Sequence, residues 1–188
     1  MKNHFVIPFG LLALISPWAR AATPAADPPD SLYRLEAPLA AQDGKPVALD
    51  VYRGKPVLVT MFYAGCQATC PLIIDTLRAI ERKLVPAQRQ ELRVLLVTID
   101  PEHDTVEALA ATARERRLDT TRWTLARTDE THVRRIAAAL GQQYRRLPDG
   151  QYSHSTLITV LGADGRMLAQ SDQLGHADEK LLAALRQR

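Results

Sequence analysis

The stretch from Pro56 to Leu84 constrains the fold more than any other part of this 188-residue chain. It opens with Val57 to Tyr63, a short apolar run rich in β-branched and aromatic side chains and bounded by Gly54 and Gly65, which predicts a buried strand. Ile73, Leu77, Ile80 and Leu84 then recur at helical spacing, and Pro71 suits the first helical position, so a helix with one apolar face is expected to follow. Between strand and helix lie the chain's two cysteines, Cys66 and Cys70, separated by Gln67, Ala68 and Thr69. Both sulfurs are therefore expected at or just before a helix N-terminus, where unpaired N–H groups and the helix dipole favour thiolate over thiol. Three intervening residues on a tight turn leave the sulfurs close enough for a disulfide, or for two bonds to one soft ion. The plain alternative is a structural disulfide or two inert thiols, although a disulfide closing so short a loop constrains little unfolded-chain entropy.

With 46% hydrophobic residues, the chain supports one compact domain with a proper core. The N-terminus reads separately: Lys2 supplies positive charge, Phe5 to Ile15 is an apolar run, and Ala19-Arg20-Ala21 presents small residues where a signal peptidase reads. Residues 1–21 are expected to be a signal peptide cleaved after Ala21, and the protein to be periplasmic or otherwise exported. An uncleaved leader would leave it anchored at a membrane. Without Lys2 and Arg20, the 24 basic residues fall to 22 against 21 acidic ones, a net of +1. The basicity of the full chain therefore carries no nucleic-acid signal, and the arginines around Arg114–Arg117 and Arg134–Arg135 read as solvated helix faces. An oxidising compartment and only two cysteines, both at a helix start, argue for a pair kept for chemistry.

Residues 22–31 are Pro- and Ala-rich and predict an extended, mobile linker before a domain at 32–188. Strands are expected near Tyr33–Leu39 and Val47–Asp50, flanking the hairpin signal Asp43-Gly44. Arg93 to Ile99 is a second apolar run, so strand, helix and strand predict a parallel pair. A helix over Thr105 to Leu118 is expected to be capped by Asp104 or Thr105, a short strand at Trp123–Ala126 follows, and Thr131 to Leu140 predicts a helix stopped by Gly141. After a turn at Pro148-Asp149-Gly150, Ser155–Leu161 and Met167–Ser171 predict a hairpin, and Ala177–Arg188 a closing helix. A βαβ half followed by a ββα half is the thioredoxin-like α/β arrangement: a central mixed sheet flanked by helices, preceded by an N-terminal hairpin.

Three ordered stretches resemble the Sco/SenC family of copper proteins. F-Y-A-G-C-Q-A-T-C-P-L is similar to its C-x-x-x-C-P motif, V-T-I-D-P-E-H-D-T to its D-P-E-x-D-T segment, and Y-S-H-S-T-L-I-T-V-L-G-A-D-G-R-M-L to its His-Ser at the head of a hairpin. The resemblance runs from about residue 32 to 188. It implies copper, as Cu(I) or Cu(II), held by Cys66, Cys70 and His154. Two soft sulfurs and one imidazole suit three-coordinate Cu(I), whereas structural zinc usually closes with four protein ligands. The family commonly carries Asp before the His, and this chain has Ser153, which removes a carboxylate that would orient the imidazole.

Asp100 ends the second core strand on the same sheet edge, either as a turn residue or as an acceptor beside the site. His103, His132 and His176 read as surface residues, with His103 able to approach the site on its loop, and Tyr63 and Trp123 read as core. The resemblance implies a metallochaperone that helps assemble the dinuclear copper centre of a cytochrome oxidase. Its partner would be the copper-site subunit of that oxidase, or another exported copper protein. The alternative is an exported thiol–disulfide oxidoreductase that uses Cys66 and Cys70 as a redox pair. A peroxide-reducing relative is disfavoured, because no Thr-x-x-Cys context is present.

Overall fold

A computed structural model describes residues 27–187, apart from Gln67 and Ala68. The expected signal peptide at 1–21 lies outside the described residues. Strands β1 (Leu39–Ala41), β2 (Pro46–Val47), β3 (Val57–Phe62), β4 (Arg93–Thr98), β5 (Trp123–Arg127), β8 (Ile158–Leu161) and β9 (Met167–Ser171) form one sheet in the order β2-β1-β5-β4-β3-β8-β9. β3, β4 and β5 run parallel, and β8 pairs antiparallel with β3. Every residue of β3 is buried, as is all of β4 except Arg93, which explains their unbroken apolar sequences.

Helices α1 (Thr69–Lys83), α2 (Pro86–Glu91), α3 (Val106–Glu115), α4 (Glu130–Ala139) and α5 (Glu179–Arg186) flank this sheet. α1 buries Ile73, Ile74, Leu77 and Ile80, and it packs against α5. It begins at Thr69 rather than Pro71, which falls within the first turn, where a missing N–H forfeits no helical bond. Thr105 caps α3, its side chain accepting from the Ala108 N–H.

The N-terminal region differs from its reading as two strands. Leu32–Arg34 is a 3-10 turn whose cap, Ser31, accepts from the Tyr33 N–H, and the ladder starts only after Pro38, which has no N–H to give. Val47–Asp50 likewise holds only the end of β2, because Leu49–Tyr52 is a 3-10 turn that buries Leu49 and Tyr52, three residues apart on one side. The Asp43-Gly44 hairpin itself is present between β1 and β2. Of the expected linker, Asp27 pairs with Arg53 and the Ser31 hydroxyl donates to the Asp164 carbonyl, so these described residues are tied to the domain.

A separate two-stranded hairpin, β6 (Tyr144–Arg146) with β7 (Tyr152–His154), was not read from the sequence. His154 closes β7 instead of opening the strand that follows. The strands are interrupted there because Ser155 turns aside: its N–H donates to the Gln143 carbonyl and its hydroxyl donates to Gln142 Oε1 at 2.7 Å.

Candidate metal and thiol centre

β3 delivers the chain to the C-terminal edge of the sheet, and Tyr63 to Cys66 then make a tight turn closed by a Cys66 N–H to Tyr63 carbonyl bond of 3.2 Å. The Cys70 N–H, in the first turn of α1, donates to the Cys66 sulfur at 3.3 Å. That sulfur therefore takes the place of a capping oxygen, and the amide favours negative charge on it. No disulfide joins the two cysteines. Cys66 is 9% exposed and Cys70 4%. The expectation that a helix start favours thiolate at both positions does not hold for Cys70: burial pushes its thiol up, and the neighbouring Cys66 and Asp104 add to the shift.

The β6–β7 hairpin brings His154 over this turn, so that one ligand atom each from Cys66, Cys70 and His154 lie within 4.8 Å of one another. The hairpin is held by Tyr63, whose hydroxyl donates to Gln151 Oε1 at 2.8 Å and whose ring lies 5.4 Å from Tyr152 and 6.0 Å, edge-on, from His154. Tyr63 is thus both core and site wall. An open cleft of about 660 Å³ reaches Cys66 and His154, lined also by Tyr63, Thr69 and Gln151, with Cys70 buried behind it.

His154 Nδ1 lies 2.8 Å from the Ser155 carbonyl oxygen. Ser153 is exposed and alternates with His154 along β7, so the two side chains leave opposite faces of that strand, and Ser153 also borders the cleft. Asp100 is buried at the end of β4 but stands apart from the cysteines. Its carboxylate takes the His103 ring nitrogen at 2.9 Å and the Tyr152 hydroxyl at 3.4 Å, and it groups with Glu102 and His103. Its link to the site runs through Tyr152. The bond to Asp100 raises the affinity of the exposed His103 for its proton. His176 is exposed, and His132 lies against Asp129.

Of the two caps the sequence offered for α3, Thr105 has that role and Asp104 has another. It is 3% exposed, and its carboxylate accepts from the Ala64 N–H at 2.9 Å and from the Thr98 hydroxyl. Burial raises its proton affinity above the ordinary carboxylate value.

A thioredoxin-like α/β domain with a Cys-x-x-x-Cys pair at a helix start and a histidine facing it defines a thiol- or metal-handling class of protein. Within that class the chain belongs to the SCO1/SenC family, whose sequence model matches residues 30–188. It is 25% identical over 130 residues to the SCO1 protein homolog of Bacillus subtilis, covering 68% of this chain and 67% of that one. Among solved structures it resembles Arabidopsis thaliana ScoI with copper bound, with TM-score 0.69, 18% identity, and 81% and 97% of the two chains covered. It also resembles BsSco, in which a disulfide switch was identified and which is described as a member of the Sco family of cytochrome c oxidase assembly proteins. There the TM-score is 0.66 at 20% identity, over 82% and 96% of the chains. The two structural likenesses bear on the fold, which is the thioredoxin-like one expected.

Proposed function

We propose that this protein is an exported copper carrier that binds one copper ion through Cys66, Cys70 and His154 and passes it to the dinuclear copper centre of a cytochrome oxidase. The observation that carries the reading is the convergence of two sulfurs and one imidazole nitrogen within 4.8 Å, on two segments, the Cys66–Cys70 turn and β7, brought together only by the fold. Soft thiolates favour Cu(I), and the imidazole, with water or an oxygen donor, accommodates Cu(II). The open cleft suits a cargo that must leave again. Family membership, copper in a solved relative and oxidase assembly named for another support the cargo and its recipient. The leader-like residues 1–21 support export.

Copper titration of the reduced protein tests this. One equivalent should bind, Cys66→Ser or Cys70→Ser should abolish tight Cu(I) binding, and His154→Ala should weaken it about tenfold or more. Unchanged stoichiometry and affinity in Cys66→Ser would sink the assignment. A second reading, thiol–disulfide exchange, is favoured by the Cys70 N–H on the Cys66 sulfur and by the protonated, buried character of Cys70. The two activities are compatible, since copper loading requires the reduced pair.

A further inference from the structure

Asp104 is a buried carboxylate whose two side-chain hydrogen bonds come from neutral donors, the Ala64 amide and the Thr98 hydroxyl. Burying such a group without a cationic partner is costly, so its place calls for a compensating role. The same short loop is fixed from both sides: Thr98 Oγ1 also accepts from the Asp100 N–H at 3.0 Å, and the Asp104 N–H donates to the Asp100 carbonyl at 2.9 Å. Asp104 thus stands on a rigid loop after β4 and holds the first residue past Tyr63 in the turn that carries Cys66.

We infer that Asp104 is the positioning residue of the thiol turn, setting through the Ala64 amide where Cys66 stands relative to Cys70 and His154. The inference rests on those three residues acting together as proposed above, but the clamp concerns the metal-free turn as well. Both bonds end on the one oxygen Oδ2, so Asn at this position retains a carbonyl oxygen to accept from Ala64 and Thr98 while discarding the charge, whereas Ala discards both bonds.

The test compares full-length wild type, Asp104→Asn and Asp104→Ala. The readouts are the Cys66–Cys70 disulfide equilibrium in glutathione buffers, Cu(I) affinity by competition with a chromophoric chelator, and hydrogen exchange at the Ala64 amide. Asp104→Ala should lower both the disulfide equilibrium constant and the Cu(I) affinity by about tenfold or more, and Asp104→Asn should stay within about threefold of wild type. The Ala64 amide should be protected in the wild type. An Ala variant that is folded and within twofold of wild type on both measures overturns the inference, as does an Asn variant impaired as badly as Ala. If Asp104→Ala does not fold, rapid exchange of the Ala64 amide in the wild type still overturns it. Absence of copper binding by the wild type would defeat the copper reading alone, since the disulfide and exchange measurements decide the role of Asp104 without metal.

Discussion

The Nδ1 of His154 lies 2.8 Å from the carbonyl oxygen of Ser155, the next residue in the chain. A carbonyl only accepts, so Nδ1 carries the proton and Nε2 is left bare for a metal. That oxygen is itself held in place, because the Ser155 hydroxyl donates to Gln142 and its N–H to the Gln143 carbonyl. The imidazole is thus oriented by the backbone, without a carboxylate at position 153.

Restoring that carboxylate should therefore gain nothing. Ser153→Asp places the new charge on the other face of β7, and Cu(I) and Cu(II) affinities should change by less than about threefold, against the roughly 10- to 100-fold effects typical of groups that hold a metal ligand. Tightening by tenfold in a competition titration would show that residue 153 reaches the imidazole after all.

Exchange chemistry should be asymmetric. Cys66 receives an amide hydrogen bond at its sulfur and opens on the cleft, whereas Cys70 is the more buried thiol and is held protonated. Cys70→Ser should accumulate a mixed disulfide through Cys66, and Cys66→Ser should accumulate little. Equal trapping by both variants, read by intact mass, would reject this order of attack.

The raised Cys70 thiol fixes the sign of an alkaline effect in the reduced, metal-free protein. Above the ordinary thiol value of about 8.5 the unfolded chain loses this proton while the folded chain keeps it, so the folded state binds more protons and stability falls as pH rises. Denaturant midpoints should decline from about pH 8.5 upward, more steeply than in Cys70→Ala. Parallel curves for the two proteins would show that Cys70 titrates normally.

Far from the site, Gly165 adopts φ of +78°, and a Cβ there would meet the Tyr33 ring at 2.6 Å and the Ser31 hydroxyl. Gly165→Ala should cost roughly 1–3 kcal/mol of stability by combining backbone strain with overpacking. Copper stoichiometry should be unchanged, because the β8–β9 turn lies at the end of β3 away from the cysteines. A Tm equal to wild type would show that the N-terminal turn yields to the added methyl.

The sequence alone determined the elements whose signals are local. β3, β4 and helices α1, α3, α4 and α5 were legible from periodicity, and the cysteine turn from its position between a strand and a helix, because those patterns record burial along a single segment; α2, which buries no residue, left no such pattern. Where the pattern was short it misled: Tyr33–Leu39 looked like a strand, but the Ser31 cap made its start a 3-10 turn and Pro38 left only Leu39 in the ladder. His154 had no local signal beyond a resemblance, and only the β6–β7 hairpin, pinned through Tyr63 to Gln151, put it opposite the sulfurs. The clamp from Asp104 to Ala64 spans 40 residues and the Tyr63–Gln151 bond 88, so neither could appear in any window of sequence. The same holds for the two thiols, alike as letters at a helix start. Burial of Cys70 by distant parts of the chain set its proton affinity, because desolvation depends on what the fold packs around a sulfur and not on which residues adjoin it.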